Sequence, residues 1–168
     1  MLAVGSGPRP DGLSSSPWPN PTKGPTVRIS DVLAAKGSAV LTVEPDQPVT
    51  ALLAALAEHN VGAAVVCEGD RLAGIVSERD VVRRLHEVGA ALLDRPVADI
   101  MTTVVATCRP EDEVQTLSVT MTERRIRHVP VLDGEGRLAG IVSIGDVVKN
   151  RIDQLEEHRT QLEAYISG

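Results

Sequence analysis

Aromatic side chains are almost missing from this chain, which has no Phe, one Trp and one Tyr among 168 residues. A core without rings must be filled by Val, Leu, Ile and Ala, a palette that suits short parallel or half-buried strands. The same lack removes the platforms on which single-stranded nucleic acid stacks. Basic blocks are missing too, and a net charge of -6 leaves no electrostatic footprint for a phosphate backbone. Nucleic acid is not an expected partner.

No run approaches the roughly 18 apolar residues of a membrane span, so no membrane partner is expected either. The first residues lack the basic and apolar regions of a secretory signal. Only two cysteines occur, Cys67 and Cys108, with no metal spacing and no His close by in sequence. They read as reduced thiols of a cytoplasmic protein. His59, His86, His128 and His158 are scattered, so no metal site is expected. Phosphate loops of the G-x-x-x-x-G-K type and G-x-S-x-G elbows are both lacking. With no nucleophile and base to pair, no catalytic residue is assigned and the chain does not read as an enzyme.

What the chain does have is a duplication. Residues 71–80 read RLAGIVSERD and residues 137–146 read RLAGIVSIGD, and Val-Val follows each. The repeats are offset by about 65 residues, too long for a solenoid and suited to a small supersecondary unit that has doubled. Residues 1–26 carry six prolines among Gly and Ser, bury little, and are expected to be a disordered tail containing Trp18.

Order is expected from Val27, with a helical turn at Ile29–Leu33 capped by Ser30. Residues 39–43 predict a strand, and Val49, Leu52, Leu53 and Leu56 recur at helical spacing over about 48–59. A hairpin then joins strands 61–67 and 71–77, and a helix runs from Glu78 to about Val88. After a linker at 89–95 the pattern restarts. Residues 97–101 repeat the leading turn, 104–108 a strand, and Val114, Leu117 and Met121 a helix face. A strand at 128–132, a turn at 133–136 and a strand at 137–143 complete the second unit. Each unit is β-α-β-β-α, so the fold class is mixed α/β, with units at 27–90 and 91–151.

Two such units, each ending in G-hydrophobic-hydrophobic-S-x-x-D, resemble a tandem pair of CBS domains, a Bateman module. The resemblance covers about residues 27–151. It implies two units packed by their sheets with pseudo-twofold symmetry, and no chemistry of their own. It also implies clefts for adenosine-containing ligands such as AMP, ADP, ATP, NAD or S-adenosylmethionine, with no required cofactor, and a sensing role toward an associated protein.

Ser77-x-x-Asp80 and Ser143-x-x-Asp146 have two physical readings. In one, Ser and an acidic residue three positions later form a capping box that satisfies free N–H groups at a helix start. In the other, the carboxylate accepts the hydroxyls of a ribose while the N–H groups and Ser hydroxyl face phosphate. By resemblance, Asp80 and Asp146 hold ribose, with Ser77 and Ser143 beside it. Positive charge reaches the two clefts differently: Arg127 and His128 in the second unit stand where the first has Gly62 and Ala63, and Arg79 stands where the second has Gly145. Arg124, Arg125 and Arg127 equally suit a solvated helix end.

Adenine needs an apolar slot, which Ile75, Val76, Ile141 and Val142 offer with the strands around Thr42 and Thr107, although such residues are core in any case. Pro130 interrupts its strand and is expected to leave a carbonyl free for a base. Beyond the repeat, Ile152, Leu155, Leu162 and Ile166 continue a helical stripe over 152–168, with Arg159 at one apolar position. The stripe folds back on its own domain, pairs with a second chain in a homodimer, or receives another protein.

Overall fold

The structure, a computed structural model, describes residues 26–103 and 105–167, so the expected tail, with Trp18, and Val104 lie outside the described residues. The fold is mixed α/β, with five α-helices and two small sheets among the described residues. In chain order the elements are α1 (Ile29–Lys36), β1 (Thr42–Val43), α2 (Val49–His59), β2 (Ala63–Glu68), β3 (Arg71–Ser77) and α3 (Glu78–Val88). Two 3-10 turns, Gly89–Asp94 and Val97–Asp99, lead to α4 (Val114–Arg124), β4 (His128–Leu132), β5 (Leu138–Ser143) and α5 (Ile144–Ser167).

Strand β2 lies between β1, which it pairs in parallel, and β3, which it pairs antiparallel. β4 and β5 form an antiparallel pair, and the chain at Cys108 adds a single parallel bridge to Val131. Two strand expectations are therefore corrected. Of residues 39–43 only Thr42 and Val43 pair, and of the described residues of 104–108 only Cys108 bridges. The ladders begin late because each segment comes from a turn packed on the other core and must cross over before it reaches its sheet. The hairpins keep a matching irregularity, with register shifts at Val66/Cys67 and Val131/Leu132.

Two aliphatic cores result. Val49, Leu52 and Leu56 bring one face of α2 onto Ala64, Val66 and Val76. Val114, Leu117 and Met121 bring the matching face of α4 onto Val129, Val131 and Val142. Each fully buried Val or Leu contributes about 1.5–3 kcal/mol relative to exposure. No aromatic ring takes part in either cluster.

The leading turns change places. Ile29 and Val32 of α1 belong to the second core, and Val97 and Ile100 belong to the first. Matched backbone bonds fix the exchange: Ile29 N–H donates to Asp112 O at 2.9 Å and Val97 N–H to Gln47 O at 2.8 Å. Likewise Ser30 N–H reaches Pro110 O and Ala98 N–H reaches Pro45 O, each at 2.8 Å. The sequence repeats are thus interlocked about a pseudo-twofold axis rather than standing side by side. Ser30 is not the cap of α1, since the helix already begins at Ile29 and Ser30 lies within its first turn. Arg28 is the N-cap, and Asp31 accepts its N–H at 2.8 Å.

Candidate functional site

Ser77 closes β3 in an extended conformation (φ -128°, ψ 164°) that ends the strand and starts α3. Asp80, one turn in, accepts both the Ser77 N–H at 2.8 Å and the Ser77 hydroxyl at 2.6 Å on the same oxygen, Oδ2. The capping reading is thereby realised, and Oδ1 makes no hydrogen bond among the described residues.

Facing this helix start is the junction of α4 and β4. α4 ends at Arg124, and the chain turns through a left-handed residue, Arg125 (φ 55°), before entering β4. The turn sets Arg124, Arg125, Arg127 and His128 across from Ser77, Arg79, Asp80 and Arg83, around a cleft of about 660 Å³. Ile75, Thr102, Val105 and Ala106 add a largely apolar part of the wall. That volume is ordinary for a small-ligand cleft. Five arginines line it against two carboxylates, Glu78 and Asp80, and among the described residues none of the five has an ion-pair partner.

The second copy of the motif is arranged differently. Ser143 N–H and hydroxyl donate to Asp146 Oδ2 at 2.7 and 2.8 Å, and the Lys36 ammonium donates to the same oxygen at 2.7 Å. Burial pushes the Asp146 carboxyl up, but the bonds from Lys36 and Ser143 outweigh it, and the group ends below the usual carboxylate range. His128 stands close enough to feel both sides. Burial lowers its pKa first, Arg127 and Lys36 add to the fall, and Asp146 and Glu78 only partly oppose it. The imidazole is therefore neutral at pH 7.

Ser77, Arg79, Asp80, Arg127 and His128 thus meet in one cleft, and Ser143 and Asp146 hold the equivalent place in the other half. Thr42, Thr107, Ile141, Val142 and Pro130 do not line that cleft. Val142 is fully buried core, and Thr42 and Thr107 are exposed on their own segments. Pro130's own carbonyl is taken, accepting the Cys108 N–H at 3.1 Å. It is taken because the chain at Cys108 closes that edge of β4.

Sequence reasoning missed Lys36 and Arg83. Lys36 carries no motif and meets Asp146 only because α1 crosses to the other half. Arg83 was legible in principle, being one helical turn beyond Arg79. Among the described residues no cluster of His, Cys, Asp and Glu suits a metal ion, and no helix is long and apolar enough to cross a membrane. Both cysteines are free and buried. Burial, helped by Asp112, pushes the Cys108 thiol up to about 12, which leaves it unreactive.

A family model described as the CBS domain matches twice, at residues 29–87 and 97–153. This chain belongs to the CBS-domain family. As a CBS pair it is 39% identical over 149 residues to a mitochondrial CBS domain-containing protein of Arabidopsis thaliana, covering 83% of this chain and 72% of that one. The crystal structure of a CBS-domain containing protein from Agrobacterium tumefaciens is 42% identical, with a TM-score of 0.72 over 74% of this chain and 99% of that one. A CBS domain protein from Pyrobaculum aerophilum, solved complexed with AMP, is 29% identical, with a TM-score of 0.64 over 71% and 89% of the two chains.

Proposed function

We propose that this CBS pair is a regulatory module that binds an adenosine-containing ligand of the AMP, ADP, ATP, NAD or S-adenosylmethionine class. The ligand sits in the cleft between the halves, and the module modulates a partner protein. The observation that carries this reading is the Asp80 cleft. A carboxylate with one oxygen unused stands at a helix start, opposite guanidinium groups with no ion-pair partner among the described residues. Asp80 accepts ribose hydroxyls, the first turn of α3 and the arginines face phosphate, and Ile75 and Val105 flank the base. The AMP complex of the Pyrobaculum aerophilum relative supports the ligand class.

Because the cleft is built from both halves, a bound ligand favours one relative packing of them, and it acts only through its differential affinity for two arrangements. The role is regulatory, with no catalytic residue assigned and no cofactor required. Free, buried cysteines fit a reducing compartment, and we assign the protein to the cytoplasm. Thermal shift with the five ligands tests the reading, and silence at millimolar concentration overturns it.

One observation favours a second reading, a ligand-free homodimer scaffold. Both motif carboxylates already cap helices, and α5 leaves Val148, Ile152, Leu155 and Leu162 about half exposed or more.

A further inference from the structure

We infer that the Asp80 cleft selects a ligand carrying at least a diphosphate, a nucleoside di- or triphosphate or a dinucleotide, over AMP and S-adenosylmethionine. This rests on the function proposed above and narrows its ligand class. The basis is charge. In a chain of net charge -6, five arginines converge on one cleft with only Glu78 and Asp80 to offset them. Asp80 is itself engaged by Ser77 on one oxygen. The five guanidiniums, none ion-paired among the described residues, make that cleft a site of positive charge that attracts an anion in proportion to the anion's own charge.

The arginines come from two directions, as a chain of phosphates requires. Arg79 and Arg83 lie one turn apart on α3, and Arg124, Arg125 and Arg127 come from the other half. One phosphate group carries about two negative charges against five guanidiniums; two or three linked phosphates carry more charge and engage more of the set. S-adenosylmethionine brings a sulfonium cation into the same field, and is disfavoured outright.

Arg125 strengthens the inference because its position is costly. It holds a left-handed backbone (φ 55°), and the corresponding turn after α2 uses Asn60 (φ 52°), a residue that tolerates this conformation better. An arginine kept where Asn or Gly is easier points to a task for its side chain.

Calorimetric titration of the full chain with ATP, ADP, AMP and S-adenosylmethionine tests the inference, alongside Arg79→Gln and Arg125→Asn. The second variant suits the left-handed backbone and so protects folding. ATP and ADP are expected to bind about tenfold or more tighter than AMP, with each variant lowering ATP affinity toward that of AMP. AMP affinity should fall less than ATP affinity in each variant, since a single phosphate engages fewer of the arginines. Equal affinity for AMP and ATP, or variants that weaken both alike, overturns the phosphate-chain inference and leaves the adenosine reading standing. Failure of every compound to bind overturns both.

Discussion

Lys36 at the end of α1 and Asp146 at the start of α5 are 110 positions apart in sequence, yet their side chains meet at 2.7 Å. The contact exists because the leading turn of the first repeat packs on the second half. It also makes the two copies of the motif unequal, since Asp146 has a resident cation and Asp80 has none among the described residues.

The ion pair predicts a pH dependence. Asp146 titrates below its unfolded value, near pH 3.9. Its stabilisation is therefore in place above about pH 4 and is lost as pH falls through the folded value. Lys36→Met should lower stability at pH 7 by roughly 1 kcal/mol, the pair being partly exposed. It should also flatten the loss below pH 4, as read by urea unfolding across pH. An unchanged acid limb in the variant contradicts the pairing.

His128 predicts a second window. Its pKa is lowered in the folded state, by burial first and then by Arg127 and Lys36 against the opposing pull of Asp146 and Glu78. The unfolded chain therefore takes up a proton more readily, and stability is full above about pH 6.5 and declines as pH falls through the folded value. His128→Gln should remove that decline, measured as the difference in urea midpoint between pH 7.5 and 5.5.

The glycines of the repeated stretch are required by close approach. A Cβ on Gly140 would lie 2.7 Å from Leu33 Cδ2, and a Cβ on Gly74 would lie 2.8 Å from the Thr102 carbonyl oxygen and 2.9 Å from Met101 Sδ. Leu33 and Met101 are the matching residues of the exchanged leading turns. Both Ala variants should destabilise by about 1–3 kcal/mol. Gly74→Ala should cost more, because a backbone carbonyl yields less than the end of a leucine. Chemical denaturation ranks them, and a reversed order contradicts the packing described.

The stripe on α5 predicts assembly. Val148, Ile152, Leu155, Leu162 and Ile166 are between 49% and 82% exposed and recur at steps of four, three, seven and four residues, with Arg159 between Leu155 and Leu162. Deleting residues 152–168 should convert a dimer to a monomer in sedimentation, with both aliphatic cores intact by circular dichroism. An unchanged dimer assigns the pairing to other helices.

The family and the element order were legible because the repeated RLAGIVS stretch fixes strand, hairpin return and helix start together. β3 and α3 fall where periodicity placed them, at Arg71–Ser77 and Glu78–Val88. The segments around Thr42 and Thr107 were read as longer strands, since apolar β-branched runs do not reveal where pairing stops. The exchange of leading turns was not legible, because Ile29 and Val97 look alike and local pattern does not say which core each enters. Lys36 stayed hidden for the same reason, and with it the unequal states of Asp80 and Asp146.

The most direct test is a calorimetric titration of ATP into the wild type and Asp80→Asn, a change that keeps the side chain's shape. Saturable binding to the wild type, weakened about tenfold or more in the variant, is the expected result. No heat with either chain, or equal affinity in both, contradicts a nucleotide site at Asp80.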